Sequence, residues 1–370
     1  MKYYIIVGEA SGDLHASNLI KEIKKLDPEA DIRAWGGDLM EAQGAHIVKH
    51  YRDLAFMGFI EVLFNLTTVL RNISFCKKDL IDSQPDILIL VDYPGFNLRI
   101  AEFAHRHGFK VQYYISPQVW AWKKGRVKTI KKVVDKMLVI LPFEKDFYKK
   151  YGMEVAFVGH PLLDAIQTEA LPDFDFRIEH QLDQRPIVAL LPGSRKQEIS
   201  RLLNVMLSVV PLFPDYQFVI AGAPSMDESF YSSITGESDV KIVKSQTYRL
   251  LQNATAALVT SGTATLETAL WGVPEVVCYK ANGLSYFIAK RIVDIKHISL
   301  VNLIMDREVV KELIQDELNT KSLCRELDAL LHDNEKIALI KGDYKALKNK
   351  LGGGGASARA AQLIVNNTSV

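Results

Sequence analysis

The sequence predicts an α/β fold of two parallel-sheet domains. Three observations carry that expectation: short β-branched runs alternate with helix-length amphipathic segments, a polar acid-rich stretch interrupts the alternation near mid-chain, and the same alternation then restarts. With 370 residues the chain also exceeds the size at which one hydrophobic core usually stops growing.

In the first half, residues 3–7, 87–91, 110–114, 136–140 and 155–158 read as buried strands. The polar stretch 167–185, with Pro172 within it and Pro186 just after it, sets a domain boundary. The second half repeats the scheme with strands at 187–191, 217–221, 241–243, 256–260 and 276–279 and helical segments such as 199–212 and 264–271. The expected domains are therefore 1–170 and 186–343, facing each other across a cleft. Beyond residue 303 the chain reads as entirely helical. A tail, 344–370, contains the flexible run Gly352-Gly353-Gly354-Gly355 and a last short helix, 356–365, expected to pack on the first domain.

Composition excludes several classes. Forty-five basic against 44 acidic side chains rule out a global electrostatic grip on nucleic acid. Cys76, Cys278 and Cys324 are odd in number and far apart, which fits thiols in the reducing cytoplasm better than a disulfide frame. The opening apolar run meets Glu9 and Asp13 too soon for a secretory signal, and the greasy stretch 54–70, with Glu61 and Asn65, falls short of a membrane span. Asp173-Phe174-Asp175 matches the Asp-x-Asp pattern of metal-dependent sugar transferases but sits in the presumed linker, so neither a metal nor another cofactor is expected.

Chemistry is expected where strands end and helices begin. After the first strand, Gly8 and Gly12 allow close backbone approach to a ligand, Glu9 lies between them, and Ser11 and Asp13 can cap the next helix. After the very apolar strand 87–91 comes Asp92-Tyr93-Pro94-Gly95-Phe96-Asn97. Pro94 stops the strand and leaves Asp92 at its tip, where a carboxylate can serve as general base toward a hydroxyl. The alternative is an Asx turn capping a helix that starts at Asn97. Gly193-Ser194-Arg195 follows a third strand and suits a diphosphate: backbone N–H groups and a helix N-terminus favour the anion, and each charge-assisted bond to the arginine contributes roughly 1.5–3 kcal/mol. Ser261, Gly262, Thr263, Ala264, Thr265 and Glu267 supply a second hydroxyl-rich helix start, with Glu267 placed to accept from ribose hydroxyls.

Two segments look lipid-directed. Phe56, Met57, Phe59, Ile60, Leu63 and Phe64 belong to a run with too many apolar residues for one buried stripe. Trp120 and Trp122 stand beside Lys123, Lys124 and Arg126, a composition suited to an anionic membrane interface. A buried hydrophobic helix and a solvated basic helix are the plain alternatives.

Taken in order, VGEASGD at 7–13, MGFIEVL at 57–63, DYPGFN at 92–97, SPQVWAW at 116–122, LPFE at 141–144, VGHP at 158–161, LPGSR at 191–195 and SGTATLE at 261–267 resemble the lipid-A-disaccharide synthase family over nearly the whole chain. The resemblance implies a GT-B architecture of two Rossmann-like domains with a helical C-terminal segment, the second domain holding the nucleotide and the first the lipid acceptor. It implies an inverting, metal-independent transfer of 2,3-diacylglucosamine from its UDP derivative to the 6-hydroxyl of 2,3-diacylglucosamine 1-phosphate, at the inner face of the cytoplasmic membrane. Asp92 matches the family's favoured base, Arg195 its nucleotide site, and Glu9, Ser11, Ser261, Thr263, Glu267 and Asn302 match further family positions. Many relatives carry a second acid where this chain has Gly95, so Asp92 stands alone here. The sequence leaves the oligomeric state open.

Two rivals share the pattern: a UDP-sugar 2-epimerase-like GT-B enzyme and a non-catalytic nucleotide-lipid binding protein. An epimerase acting on a soluble sugar has no use for the apolar run near Phe59, and a binding protein has none for a carboxylate at a strand tip. Burying one acyl chain of about ten carbons is worth roughly 8 kcal/mol gross, so an acylated acceptor demands an apolar surface. Replacing Phe59, Leu63 and Phe64 with serine is expected to raise the KM for acylated acceptor and weaken binding to anionic vesicles, with UDP affinity unchanged. A folded variant matching wild type in both would remove this run from the lipid site.

Overall fold

The computed structural model describes residues 1–54, 66–121, 125–169, 176–236, 238, 240–281 and 296–366. It divides into two compact units, Met1–Gln167 with Leu351–Val370, and Thr168–Lys350. The lipid-directed residues Phe56, Met57, Phe59, Ile60, Leu63, Phe64, Trp122, Lys123 and Lys124, and the Asp173-Phe174-Asp175 triplet, lie outside the described residues.

The first unit is built on a seven-stranded sheet: β1 (Lys2–Ile6), β2 (Asp31–Gly36), β3 (His46–His50), β4 (Ile87–Val91), β5 (Lys110–Tyr114), β6 (Lys136–Val139) and β7 (Ala156–Phe157). Their spatial order is β3-β2-β1-β4-β5-β6-β7 and every pair is parallel. A parallel sheet covered on both faces needs strands apolar on both sides. Accordingly β4, Ile-Leu-Ile-Leu-Val, is buried at every position, whereas the edge strands β3 and β7 are half-buried. Trp35 from β2, Tyr4 from β1, Leu88 and Leu90 from β4 and Phe96 from the helix Pro94–Arg106 share one core.

The second unit carries β8 (Ile187–Leu191), β9 (Gln217–Gly222), β10 (Lys241–Lys244), β11 (Ala254–Thr260), β12 (Glu275–Tyr279) and β13 (Lys311–Ile314), again all parallel, in the order β10-β9-β8-β11-β12-β13. The reading that everything beyond residue 303 is helical is therefore corrected. Lys311-Glu312-Leu313-Ile314 is made largely of good helix formers, but pairing with β12 buries Glu312 and Leu313 and overrides that local preference. The helix Asn334–Lys350 runs on past residue 344, and the chain returns to the first unit at Leu351.

The last helix, Ala356–Val365, packs along Ala10–Leu26. Asp164 caps it, accepting from the backbone N–H of Gly355 at 2.6 Å and of Ser357 at 2.8 Å, while Lys136 donates to the Leu363 carbonyl near its other end at 2.9 Å. Both contacts satisfy backbone groups that a helix end leaves without partners. Among the described residues no helix is long and apolar enough to cross a membrane.

In both sheets the strand order reverses beside the first strand laid down: β1 lies between β2 and β4, and β8 between β9 and β11. Loops leaving the carboxyl ends of the two strands at such a reversal diverge and leave a crevice. Asp13 stiffens the loops there in an unexpected way. Its buried carboxylate does not cap its own helix but accepts from Gly37, Leu39 and Met40 N–H at 2.8, 3.1 and 3.2 Å, capping the short helix Asp38–Ala42 instead. Asp13→Ala strands these donors and is expected to cost about 2–4 kcal/mol in chemical denaturation. A loss below about 1 kcal/mol would show that water replaces the carboxylate.

Candidate active site

Asp92 leaves β4 at the reversal point of the first unit, facing the loop that leaves β1. Asp92 and Tyr93 both adopt left-handed backbone conformations, with φ of +42° and +48°, and the helix begins at Pro94 rather than at Asn97. The expected Asx turn before a helix at Asn97 does not form: the helix starts three residues earlier, its first residue Pro94 has no N–H to give the Asp92 carboxylate, and the preceding residue Tyr93 makes no side-chain cap bond. Two consecutive non-glycine residues in this region store strain of about 1–3 kcal/mol each, which persists only where the surroundings enforce it. The enforcement is visible. The Asp92 carbonyl accepts from Asn97 Nδ2 at 2.8 Å and from the Tyr113 hydroxyl, and the Asp92 N–H donates to the Tyr114 and Ile115 carbonyls at 3.3 Å. Gly8 is the remaining constraint: a Cβ there would lie 2.3 Å from the Tyr93 ring, so only glycine lets that ring settle on the β1 loop.

With its backbone fixed in this way, the half-buried Asp92 side chain is tuned by its surroundings. Burial, and then the negative charge of Glu9, push its carboxyl up to about 7, against the lowering effect of the Tyr93 N–H. Glu9 is the residue preceding Ala10–Leu26 and accepts from the Ser11 hydroxyl at 2.8 Å, so Ser11 orients Glu9 rather than capping the helix. Gly12 lets that helix close on the end of β1, a Cβ there falling 3.0 Å from Val7 Cβ.

Behind this loop, Glu144 is buried and accepts from the Leu141 and Ile140 N–H groups at 3.0 and 3.3 Å, with its carboxyl pushed up to about 7 by burial. Ser116 bonds Tyr148 at 2.7 Å. Ser116 and Glu144, from two of the motifs, thus brace the chain just beyond β5 and β6. Trp120, expected as a membrane contact, is only 8% exposed and stands edge-on to Phe143 at 4.9 Å, so it belongs to the packed interior. Arg126 opens the helix Arg126–Val133 and is half-buried.

At the reversal point of the second unit, β8 ends at Leu191 and leads through Pro192 to Gly193, whose φ of +111° suits glycine and where a Cβ would lie 2.9 Å from Glu198 Oε2. Ser194 and Arg195 follow, both exposed, immediately before the helix Lys196–Leu207. The Arg195 guanidinium stands 3.6 Å from Glu198 with 60% of its side chain exposed, a pairing weak enough to yield to an anionic ligand. From the adjacent strand β11, Ser261 leads into the helix Thr263–Leu270, with Gly262 and Thr263 exposed and Ala264 half-buried. Glu267 lies one turn in and accepts from the Tyr248 hydroxyl at 3.2 Å.

Two expected ligand contacts are corrected. Thr265 is fully buried and donates to the Gly262 carbonyl at 2.8 Å, so it shapes the turn. Asn302 is also fully buried, and all its capacity is used: Nδ2 donates to the Val310 carbonyl and Glu312 at 2.8 and 2.9 Å, and Oδ1 accepts from Val309 and Val310 N–H at 2.7 and 3.0 Å. An amide with two donors and two acceptors all satisfied has nothing left for a ligand. Sequence reasoning missed Tyr93, Tyr113 and the role of Asn97. Tyr93 and Asn97 had a signal, as members of the 92–97 motif; the Tyr113 hydroxyl reaches Asp92 from the neighbouring strand, which no local pattern reveals.

The family model described as Lipid-A-disaccharide synthetase matches residues 3–366. A lipid-A-disaccharide synthase of Syntrophus aciditrophicus is 41% identical over 364 residues, covering 96% of this chain and 95% of that protein. One of Geobacter sulfurreducens is 39% identical over 373 residues, covering 98% and 96%. Among solved structures, UDP-GlcNAc 2-epimerase from Neisseria meningitidis bound to UDP-GlcNAc aligns with a TM-score of 0.72 at 14% identity, covering 99% of this chain and all (100%) of that one. The glycosyltransferase of kitacinnamycin aligns at 0.66 and 14%, covering 99% of each. At such identities the likeness extends to the fold alone, which is the GT-B type of two Rossmann-like units.

A carboxyl acts as a base only when ionised, so with Asp92 in that role turnover is expected to rise with pH through about 7 and then level off. Glu9→Gln removes a neighbouring negative charge, lowers the proton affinity of Asp92 and moves this acidic limb to lower pH. Profiles of kcat/KM for both proteins test the sign, and coincident limbs would show that the Glu9 charge does not reach Asp92.

Proposed function

The chain belongs to the lipid-A-disaccharide synthase family of glycosyltransferases, and from that premise we propose that it transfers 2,3-diacylglucosamine from its UDP derivative to the 6-hydroxyl of 2,3-diacylglucosamine 1-phosphate. The product is a β-1,6 disaccharide 1-phosphate together with UDP. The observation that carries this reading is the pairing of chemistries at the two strand-order reversals. One holds a carboxyl on a strained backbone, pushed up to about 7; the other presents an exposed arginine at the start of one helix, following the strand beside the one that leads into Thr263–Leu270.

In this reading the first unit takes the acceptor and Asp92 removes the proton of its 6-hydroxyl. The freed oxygen attacks the anomeric carbon from the face opposite UDP, the bond to the diphosphate breaks, and the configuration inverts. Charge developing on the leaving diphosphate falls on Arg195, Ser194 and the N-termini of Lys196–Leu207 and Thr263–Leu270, donors already oriented before the reaction begins. Glu267 is placed for a sugar or ribose hydroxyl. No step calls for a divalent ion. The acyl chains require an apolar surface, for which the sequence offers Phe56 to Phe64, with Trp122, Lys123, Lys124 and Arg126 toward an anionic membrane face, a peripheral association with the inner membrane.

Incubating the protein with UDP-diacylglucosamine and diacylglucosamine 1-phosphate in EDTA should yield the disaccharide phosphate by mass spectrometry. Asp92→Asn should lower turnover by roughly two to four orders of magnitude while leaving UDP affinity intact. Arg195→Ala should weaken UDP binding and slow turnover together. Absence of disaccharide from the wild-type protein, with or without added magnesium, would overturn the proposal.

A further inference from the structure

Glu312 sits on the edge strand β13, only 8% exposed, and every hydrogen bond it accepts comes from an N–H group. Ile298 N–H donates to its two oxygens at 3.2 and 3.0 Å, Ser299 N–H at 2.9 Å and Asn302 Nδ2 at 2.9 Å. A carboxylate is expensive to bury, so one held by backbone donors has been kept for what it orders. What it orders is the peptide joining Ile298 to Ser299. That peptide's N–H faces Glu312, and its carbonyl accepts from the Ser261 hydroxyl at 3.0 Å. A negative charge on the N–H end of a peptide polarises it and strengthens the carbonyl as an acceptor.

The consequence falls on Ser261. A hydroxyl has one proton and two lone pairs, and here the proton is committed to Ile298. We propose that Glu312 is a positioning residue for the nucleotide site of the second unit, acting through the 298–299 peptide to hold Ser261 as a hydrogen-bond acceptor. Ser261 therefore receives a donor group of the nucleotide, a hydroxyl or a base N–H, and not an oxygen of the diphosphate. The anion is left to the backbone N–H groups at the helix start and to Arg195. Asn302 belongs to the same device: its amide bridges Glu312 and Val310, and its backbone N–H donates to the Ser299 hydroxyl at 3.2 Å.

This inference rests on the assignment of the second unit to UDP, and the test separates the two. UDP affinity is measured by calorimetry for the full-length protein and for Glu312→Ala, Ser261→Ala, their double variant and Arg195→Ala, alongside KM for donor and for acceptor. Glu312→Ala and Ser261→Ala are each expected to weaken UDP about tenfold, or about 1.4 kcal/mol, and to raise the donor KM while the acceptor KM stays unchanged. The double variant should be no weaker than the worse single variant, because both substitutions break one relay. Additive losses, or a folded Glu312→Ala within about twofold of wild type, overturn the relay. If Arg195→Ala and Ser261→Ala both bind UDP normally, the nucleotide assignment itself fails. Should Glu312→Ala not fold, Glu312→Gln keeps the volume and an acceptor oxygen for the Ser299 N–H but removes the negative charge and sets its NH2 group against the Ile298 N–H, and a donor-specific loss of at least about threefold is expected from it, unchanged affinity counting against the relay.

Discussion

Beside β1 the first sheet changes direction: the chain runs outward to β2 and β3, returns, and then continues the other way through β4 to β7. Parallel strands joined by right-handed crossovers place the helix after β1 and the helix after β4 on opposite faces of the sheet, so the loops between strand and helix part at that point. The second sheet does the same at β8 and β11. Glu9 and Asp92 flank one reversal, and Arg195 and Ser261 flank the other. Residues more than eighty positions apart in the first unit meet because of this topology, and the chemistry of each unit follows from it.

The two reversals are prepared in opposite ways. The first is strained and charged: two left-handed residues, a Tyr93 ring seated on Gly8, and a carboxyl raised to about 7. A carboxyl with a raised folded-state pKa subtracts stability as pH climbs from its unfolded value toward the folded one, since the folded state binds the extra proton. Asn97 and Tyr113 offset part of that cost by holding the Asp92 backbone, which fixes where the carboxylate points while leaving it free to take a proton. The second reversal is relaxed and open. Its donors are backbone N–H groups and an exposed arginine, which need no strain to attract an anion.

The central strands were legible because burial on both faces demands uninterrupted apolar runs, as in β4 and β8. The strands that escaped notice were β2, β3 and β13. His46-Ile47-Val48-Lys49-His50 and Lys311-Glu312-Leu313-Ile314 are edge strands carrying charged or titratable residues, and Asp31 and Arg33 break the apolar run of β2, so polar residues mask all three. Strand-end motifs such as Asp92 and Gly193 to Arg195 were legible because glycine, proline and a helix start mark them locally. Long-range partners were not: Asp13 serves a helix 24 residues away, and nothing near Asp13 names Gly37.

Polar residues expected at the second unit's site divide by where their hydrogen-bonding capacity is used. Arg195, Ser194 and Thr263 are exposed and can turn toward a ligand, whereas Thr265 and Asn302 are buried with their bonds made inside the unit. Both kinds stand at positions the resemblance singles out, so the resemblance does not separate them. The distinction lies in counting donors and acceptors. Thr265 and Asn302 set the shape of the turn, Ser261 stands between the classes with its proton spent on the Ile298 carbonyl, and the exposed groups are the ones left to turn toward a ligand. A site of this kind is preorganised because its inner polar residues are already satisfied, so a nucleotide meets donors and acceptors whose directions are fixed before it arrives.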